Sequence, residues 1–345
     1  MSEESFNLNY QISPSKIQEI CNATPSSPNV SLITPMSAGL SAYMVKLDFT
    51  NSPSWMLRII NPEEEKAYEQ EMGALLHVKQ NYDIPIPNII FQDNTGKFVP
   101  EPYYIYEYLP GDTLGHQLES LNFSQKEQIF ADLGEYLAKM HLDQKSKSCM
   151  ILFKNDQLVF EPFERKTTME EYMYLGQSED FEWAIQHAFK ENYSDLYPGC
   201  EKIWNKYKNS LRDSVSPIGY CYNDLLADNL IIHKGKIAAI IDWEMGCYND
   251  SLYDLARTER GILRRIVFLT DDEREKLRER FLSSYRNFHS IESSYWEKRV
   301  AHHIVQAMDD LGQIPEYRER FPKEYCDRVE QNLIKEIEEY IEYYH

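Results

Sequence analysis

The sequence GYCYNDLLADNLIIHKGKIAAIIDWE, residues 219–244, carries the most distinctive pattern of the chain. It contains two short runs of apolar and β-branched side chains, residues 230–232 and 237–241, which are joined through Lys234 and Gly235. Two β-prone runs around a short turn that contains glycine are typical of an antiparallel hairpin. We therefore predict a β-hairpin with polar residues at its mouth and at its exit.

Two carboxylates and an amide flank this hairpin. Asp224 is followed five residues later by Asn229, immediately before the first run, and Asp242 ends the second run. Phosphoryl transfer of the kinase type uses a carboxylate that orients the acceptor hydroxyl and accepts its proton, together with an Asn and an Asp that hold magnesium against the nucleotide phosphates. We therefore predict Asp224 as the catalytic base, and Asn229 and Asp242 as Mg²⁺ ligands. Each residue alone would also suit an ordinary turn, so it is their combined spacing that indicates a site.

Three sequence features carry a family resemblance: the Asp-x-x-x-x-Asn spacing, the segment Ile-Ile-Asp-Trp-Glu, and Asn-Asp-Ser-Leu-Tyr-Asp-Leu-Ala at residues 249–256. Together they resemble the aminoglycoside phosphotransferase family, and most closely its hygromycin B phosphotransferase branch. The resemblance implies an α+β, two-lobed protein-kinase-like fold. A small N-terminal antiparallel-sheet lobe, residues 1–109, would bind nucleotide. A larger and mainly helical C-terminal lobe, residues 110–345, would hold the catalytic and substrate-binding residues.

One position departs from the family pattern. Tyr222 stands two residues before Asp224, where relatives usually have a histidine. That histidine generally belongs to the scaffold, so the change bears on the packing of the catalytic loop more than on the chemistry. By the same resemblance, Asp254 supports this loop by accepting backbone hydrogen bonds. Glu244 is left either as a neighbour of the metal or as a residue that faces the substrate.

The N-terminal region has the element order of a kinase small lobe. Three β-prone runs, residues 30–34, 43–49 and 55–60, precede a helical pattern at residues 63–80. The loop between the first two runs would close over the nucleotide phosphates. Its small residues are Ser37, Gly39 and Ser41.

A basic residue in the third run is expected to contact the α- and β-phosphates. Arg58 occupies that place, where most relatives have Lys, although an Arg resembles the hygromycin-type branch. A guanidinium can bind phosphate through two hydrogen bonds, so the role survives the change. Glu71 on the following helix would pair with Arg58. Glu69 is the alternative, because a single sequence does not fix the register of a helix this rich in acids.

The aromatic run at residues 103–109, followed by Pro-Gly, predicts a central strand that ends at a hinge between the lobes. By resemblance, the main-chain carbonyl of Glu107 and the main-chain N–H of Leu109 would face the nucleotide base. Tyr106 then occupies the gatekeeper position. Since a bulky gatekeeper tolerates guanine in some relatives, GTP is an alternative to ATP as the donor.

The C-terminal region is mainly helical in pattern. Apolar periodicity predicts a long helix at residues 128–141 and further helices from 271 to 345. Residues 150–215 mix aromatic and acidic side chains, which would suit either a pocket for a sugar-like cation or an amphipathic helical pair. By a loose resemblance to hygromycin-type relatives, Asp309 and Asp310 would lie near the substrate.

Composition limits the classes of partner. The chain has 345 residues and a formal net charge of −20, which argues against nucleic acid. Acidity permits a cationic small molecule, although it also simply keeps a protein soluble. Six scattered cysteines indicate reduced core thiols. With no apolar run of about 18 residues and no signal-peptide pattern, we expect a cytoplasmic monomer without a membrane partner.

We therefore predict a magnesium-dependent small-molecule kinase. It would transfer the γ-phosphoryl group of ATP or GTP to a hydroxyl of an aminoglycoside-like cationic acceptor, in the manner of an antibiotic-resistance enzyme. Choline, an amino-sugar, homoserine or a macrolide stay open as acceptors, and so does a catalytically silent nucleotide-binding scaffold. A protein kinase is disfavoured, because no Ala-Pro-Glu segment follows Asp242.

Overall fold

The computed structural model describes residues 10–36, 42–61, 65–164, 167–213, 216–263 and 269–344. The strands are β1 (Val30–Pro35), β2 (Ala42–Phe49), β3 (Trp55–Ile60), β4 (Ile89–Asp93), β5 (Tyr103–Glu107), β6 (Asp112–Thr113), β7 (Cys149–Lys154), β8 (Gln157–Pro162), β9 (Ile218–Cys221), β10 (Leu230–His233), β11 (Lys236–Ile240) and β12 (Cys247–Asp250). The helices are α1 (Pro14–Asn22), α2 (Glu65–Asn81), α3 (Leu114–Gln117), α4 (Phe123–Leu142), α5 (Met169–Ala184), α6 (Tyr197–Tyr207), α7 (Ser210–Asp213), α8 (Ser251–Leu263), α9 (Asp271–Arg286), α10 (Ser294–Gly312), α11 (Ile314–Arg320) and α12 (Lys323–Tyr344).

The chain divides into two compact units. The first consists of Met1–Asp112, Ile151–Val159 and Leu230–Met245. The second consists of Thr113–Met150, Phe160–Asn229 and Gly246–His345. The division into lobes at residues 109 and 110 that the sequence suggests stays a prediction. The α+β fold, with an antiparallel sheet in one unit and mainly helices in the other, is confirmed.

The first unit is built on a five-stranded antiparallel sheet in the order β1-β2-β3-β5-β4. Leu57 of β3 pairs with Val45 on one side and Ile105 on the other, and all three are fully buried. Helix α1 packs Ile17 and Ile20 into the same apolar cluster. Its first turn is fixed by Ser13, whose side chain accepts a hydrogen bond from the Lys16 N–H, and by a proline at the first helical position.

The predicted β-hairpin is confirmed as β10 and β11. His233 pairs with Lys236, which leaves Lys234 and Gly235 as the two turn residues. Both have positive φ, 51° and 76°, as a type I′ turn requires. The tight turn sets the pairing of the two strands, and Asp242 lies two residues after the end of β11.

A second hairpin was not predicted. Residues 150–215 were expected to form a pocket region or a helical pair, but their first part forms β7 and β8. The turn residues Asn155 and Asp156 have φ of 50° and 60°. Asn and Asp tolerate this left-handed conformation better than other residues with a side chain, so the Asn-Asp pair was the missed signal.

The second unit is mainly helical. Its apolar core surrounds α10, which is buried along most of its length and packs against α5, α6, α8 and α12. Helix α4 begins at Phe123 and not near residue 128, because Asn122 and Gln125 form a reciprocal capping box. Helices α4 and α9 approach closely at Gly134, where a Cβ atom would lie 2.2 Å from the Phe281 carbonyl oxygen. None of the described helices is long and apolar enough to cross a bilayer.

Candidate active site

In the first unit, the centre of the sheet carries a buried cation. Arg58 lies on β3, opposite Met44 of β2 and Tyr104 of β5, and is 9% exposed. Its Nε lies 3.3 Å from Oε2 of Glu71 on α2. Both side chains are taken out of water, so each depends on the other for compensation of its charge.

Two further acids approach the same guanidinium from the segment that follows β11. Nη2 of Arg58 lies 3.5 Å from Oδ1 of Asp242 and 3.8 Å from Oε2 of Glu244. Asp242 adopts a φ of 62°, a left-handed conformation that costs energy for a residue with a side chain. The intervening Trp243 is fully buried and donates its indole N–H to the Ile240 carbonyl at 2.9 Å. That anchor holds the strained turn and directs the two carboxylates to Arg58.

The charges in this cluster are unequally compensated. Burial raises the pKa of Glu71, and the nearby Arg58 charge opposes this without cancelling it, while Asp242 adds to the rise. Burial alone would lower the pKa of Arg58, but Glu71, Tyr104 and Asp242 together raise it. The guanidinium therefore stays charged, whereas the negative charge of ionised Glu71 is only partly compensated.

The structure places Glu71, and not Glu69, beside Arg58. Glu69 lies 3.3 Å from Lys154 instead. Residues two positions apart on a helix point about 200° apart, so only one of them can face β3.

The two residues predicted to face the nucleotide base lie at and just after the end of β5, an inner strand of the same sheet. Glu107 ends β5 opposite Trp55, and Leu109 follows two residues later. Tyr106 lies on β5 with its ring 5.7 Å from that of Tyr104, and burial raises its pKa. The predicted phosphate loop residues Ser37, Gly39 and Ser41 lie outside the described residues.

In the second unit, a buried carboxylate fixes the loop before Asp224. Asp254 is fully buried near the start of α8 and accepts hydrogen bonds from the N–H groups of Tyr222 and Asn223, at 2.9 and 2.8 Å. His141 Nε2 lies 3.1 Å from the same carboxylate. Asn223 has a φ of 64°, which turns the chain immediately before Asp224. Tyr222, which replaces the usual histidine, is fully buried.

Asp224 is partly exposed and has two defined neighbours. Asn229 donates its amide N–H to the Asp224 carbonyl oxygen at 2.9 Å and lies 3.4 Å from its side chain. Arg257 Nη2 donates to Asp224 Oδ1 at 3.0 Å. The Asn229 amide oxygen accepts no hydrogen bond from the residues that the structure describes.

A series of contacts leads from Arg257 to polar side chains on three helices of the second unit. Tyr253, one turn earlier on α8, has its hydroxyl 3.4 Å from Arg257 Nη1. On α10, His302 packs edge-on against the Tyr253 ring at 4.5 Å, and burial lowers the pKa of His302 to about 3. Gln177 on α5 bonds both His302 and Asp180, at 3.1 and 3.0 Å. A neutral histidine on α10 therefore contacts residues of both α5 and α8.

Asp309 and Asp310 have different surroundings. Arg260 Nη1 binds Asp310 at 2.7 Å within a buried ion pair. Among the described residues, the Asp309 carboxylate accepts one hydrogen bond, from the side-chain amide of Gln313 at 3.0 Å. Burial, Asp310 and Asp180 raise the pKa of Asp309 to about 6. Asp309 is thus the member of the pair that is available to a ligand.

Arg257 is the neighbour of Asp224 that the sequence analysis does not predict. It lies three residues after Asp254 in the segment Asp-Leu-Ala-Arg. Residues three apart on a helix share a face, so a residue at this spacing from the loop-supporting Asp254 is placed to reach the same loop. That spacing was the available signal.

The chemistry of the two predicted metal ligands, one in each unit, suits a hard cation. Asn229 offers an amide oxygen and Asp242 a carboxylate, and oxygen ligands of these two kinds are what Mg²⁺ takes in proteins. Neither residue contributes a nitrogen or sulfur ligand that would favour zinc.

Comparisons with known proteins place the chain in a family. Residues 32–302 match the model of the phosphotransferase enzyme family. A thermostable variant of aminoglycoside phosphotransferase APH(4)-Ia, solved as a ternary complex with AMP-PNP and hygromycin B, is 15% identical, with a TM-score of 0.61 over 95% of this chain and 98% of that chain. APH(2'')-IIia, solved with GDP and kanamycin, is 13% identical, with a TM-score of 0.62 over 94% and 97%.

Curated relatives match over shorter segments. Mouse (Mus musculus) acyl-CoA dehydrogenase family member 10 is 23% identical over 55% of this chain, and choline kinase B1 of Caenorhabditis elegans is 31% identical over 26%. The chain spans 16% and 25% of the lengths of these two proteins. Because the family model covers well over half of the sequence, the chain belongs to the phosphotransferase enzyme family, whose members are kinases with hydroxyl acceptors.

Proposed function

We propose that this protein transfers the γ-phosphoryl group of a nucleoside triphosphate to a hydroxyl of a small cationic molecule. The observation that carries this proposal is the environment of Asp224. It is a partly exposed carboxylate at the end of a loop that a buried carboxylate, Asp254, holds by two backbone hydrogen bonds. A rigidly held carboxylate that reaches solvent is what orientation of an acceptor hydroxyl requires.

Asp224 would bind the acceptor hydroxyl and accept its proton late in the reaction, because the transition state of phosphoryl transfer is loose. Arg58, positioned by Glu71, would bind nucleotide phosphate. The predicted phosphate loop at Ser37, Gly39 and Ser41, and the base contacts at Glu107 and Leu109, complete the nucleotide-binding assignment.

Asn229 and Asp242 would hold Mg²⁺. The ion, when bound, neutralises phosphate charge. Glu244 shares Arg58 with Asp242, which supports a role beside the metal more than one at the acceptor.

An aminoglycoside-like cation is the first choice of acceptor. APH(4)-Ia and APH(2'')-IIia were solved with hygromycin B and kanamycin, and this chain carries a net charge of −20. Choline is the second choice, because a segment of the chain is 31% identical to choline kinase B1. An antibiotic-resistance role, the hygromycin branch, a cytoplasmic location and a monomeric state stay predictions of the sequence.

The test is a transfer assay with ATP and with GTP against hygromycin B, kanamycin, choline and an amino-sugar, run on the wild type and on Asp224→Asn. The substitution keeps the side-chain shape and removes the charge. We expect transfer to at least one acceptor, reduced at least about 1,000-fold in the variant, with Mg²⁺–nucleotide affinity unchanged.

Two results would overturn the proposal. Turnover that survives in Asp224→Asn would remove this residue as the base. Tight nucleotide binding with no transfer to any acceptor would favour the catalytically silent scaffold.

A further inference from the structure

A buried hydrogen-bond relay, formed by Tyr285, His141 and Asp254, leads from helix α9 to the loop before the proposed base. The Tyr285 hydroxyl lies 2.8 Å from Nδ1 of His141, and His141 Nε2 lies 3.1 Å from Oδ2 of Asp254. The same Oδ2 accepts the Tyr222 N–H at 2.9 Å, while Oδ1 accepts the Asn223 N–H at 2.8 Å. All three members of the relay are fully buried, so water does not compete for these bonds.

The packing of α4 against α9 brings the first two members of the relay together. On α4, Gly134 lies seven residues before His141. On α9, Phe281, which Gly134 approaches closely, lies four residues before Tyr285. Residues four or seven apart share one face of a helix, so the faces that meet at Gly134 also carry the histidine and the tyrosine. The packing of two helices therefore sets the geometry of the Tyr285–His141 bond.

The neighbours of His141 determine which of its ring nitrogens carries the proton. Oδ2 of Asp254 already accepts a backbone N–H, so it is an acceptor, and the nitrogen that faces it, Nε2, carries the hydrogen. In a neutral imidazole Nδ1 is then an acceptor, and the Tyr285 hydroxyl must donate to it. Burial raises the pKa of Tyr285 well above its usual value, which keeps this hydroxyl protonated. The donors thus run in one direction, from Tyr285 through His141 to Asp254.

The relay acts on a strained turn. Asn223 has a φ of 64° immediately before the proposed base, a conformation that costs energy for a residue with a side chain. The two backbone hydrogen bonds to Asp254 offset this cost, and they need a carboxylate that keeps its orientation. The imidazole N–H fixes the carboxylate, and the Tyr285 hydroxyl fixes the imidazole.

We propose that Tyr285 is a positioning residue for the proposed base, and that it acts through the Nε2–H tautomer of His141 and the carboxylate of Asp254. Loss of the hydroxyl leaves Nδ1 without its donor, so the ring is free to turn or to take the other tautomer, and the bonds to the loop weaken. Asp224 then spends less time in its productive position. The kinetic consequence rests on the proposed phosphoryl transfer, whereas the tautomer and the order of the loop are measurable without an acceptor.

The test compares Tyr285→Phe with Tyr295→Phe. Each variant loses one hydroxyl from a fully buried tyrosine, but the Tyr295 hydroxyl donates to Glu259 at 2.9 Å, outside the relay. The tautomer is read at pH 8 from the ¹⁵N chemical shifts of the nine histidine rings, with the signal of His141 assigned by its loss in His141→Gln.

Two further measurements follow the loop and the reaction. Amide hydrogen exchange of Tyr222 and Asn223 reports how firmly the loop is held. Transfer from ATP and GTP to hygromycin B, kanamycin, choline and an amino-sugar gives kcat and KM.

The wild type should contain the Nε2–H tautomer. In Tyr285→Phe the two loop amides should exchange about 10-fold faster, and kcat should fall about 10-fold with the nucleotide KM unchanged, because one hydrogen bond is worth up to about that factor. Tyr295→Phe should keep the wild-type values. The kcat of His141→Gln should lie well above that of His141→Leu, since only an amide can accept from the tyrosine and donate to the carboxylate.

Three outcomes would overturn the inference. The wild type could contain the Nδ1–H tautomer. Tyr285→Phe could match Tyr295→Phe in exchange and in kcat, which would leave its hydroxyl with a purely structural role. It could also loosen the loop of an active enzyme without lowering kcat.

The failure of this inference and that of the proposed function are distinguishable. Faster exchange of the loop amides in Tyr285→Phe, in a protein that phosphorylates no acceptor, would uphold the relay and reject the proposed function. Unchanged exchange, in a protein whose transfer depends on Asp224, would do the reverse.

Discussion

Each unit buries a glutamate against an arginine, but the two pairs are compensated to different degrees. In the first unit, Glu71 lies 3.3 Å from Arg58 and hydrogen-bonds the Tyr104 side chain, yet burial keeps its pKa above the usual value. In the second unit, Glu259 accepts three hydrogen bonds from Arg299, at 2.9, 2.8 and 2.5 Å, and one from Tyr295 at 2.9 Å.

In the Glu259–Arg299 pair, the interactions with the arginine have a larger effect than desolvation by burial. Desolvation would raise the pKa of Glu259, but the charge and hydrogen bonds of Arg299 lower it below the usual value. A purely structural ion pair is thus fully satisfied, whereas the pair in the candidate nucleotide site is loosely made and shared with Asp242 and Glu244. The difference indicates that Arg58 retains capacity to bind another anion, such as a phosphate.

The largest expected effect comes from removing the cation of the tight pair. Arg299→Met leaves Glu259 buried without its partner and should cost about 3–5 kcal/mol in the free energy of unfolding. Denaturant unfolding at pH 7 measures it. The control is Arg286→Met, which removes a surface partner of Glu279 and should cost less than about 1 kcal/mol. Equal losses would show that the Arg299 pair is not the structural element inferred.

A smaller contrast is expected when each glutamate is replaced by glutamine at pH 7. Glu259→Gln strips Arg299 of its bidentate carboxylate and should cost about 2–3 kcal/mol. Glu71→Gln leaves Arg58 with two acids and removes a carboxylate whose ionisation burial disfavours, so its free energy of unfolding should stay within about 1 kcal/mol of the wild type. Its main effect should be on nucleotide affinity, weakened about 10-fold. A Glu71→Gln variant as unstable as Glu259→Gln would erase the contrast.

The two pairs also differ in how far sequence could predict them. Arg58 and Glu71 follow from element order, but the choice between Glu71 and Glu69 depended on the phase of α2, which one sequence does not fix. Glu259 and Arg299 lie forty positions apart in the sequence. In the sequence of each helix, these charged residues look like ordinary surface residues. They become neighbours only because α8 packs against α10. Their pairing could not be read from local pattern.

The local turns were predictable to the extent that their chemistry is distinctive. Lys234-Gly235 predicted its hairpin correctly, because glycine marks a turn that needs positive φ. The Asn155-Asp156 hairpin has the same geometry without glycine and was missed. Arg257 was missed for another reason: its partner Asp224 was read for its chemistry alone, without its surroundings.

The pH dependence of the two glutamine variants should have opposite signs. Because the pKa of Glu71 is raised in the folded state, folding disfavours its ionised form, so wild-type stability falls as pH rises from about 4.5 through the raised value. Glu71→Gln should therefore become more stable relative to the wild type over that pH range. Because the pKa of Glu259 is lowered, its stabilisation is present above pH 4.5 and is lost as pH falls further.

The measurement is the difference in Tm between each variant and the wild type from pH 3.5 to 8. The wild-type advantage over Glu259→Gln should shrink toward the acid end, and Glu71→Gln should gain toward the alkaline end. Parallel curves would mean that the two carboxylates are equally well compensated, against the comparison drawn from their contacts.

The smallest expected effect tests Asp309, a carboxylate whose pKa burial and neighbouring acids raise more than Arg257 lowers it. The pKa of Asp309 is raised to about 6 by burial, Asp310 and Asp180. Its ionisation therefore weakens the second unit as pH rises from about 4 through 6. Asp309→Asn should match the wild type in Tm at pH 4.5 and exceed it by roughly 1–3 °C at pH 7.5.

Asp180→Asn removes one cause of the shift, so the transition of the wild-type curve should move to lower pH in that background. An Asp309→Asn variant that is less stable than the wild type at pH 7.5 would mean that the ionised carboxylate has a stabilising partner. That result would contradict its availability to a ligand.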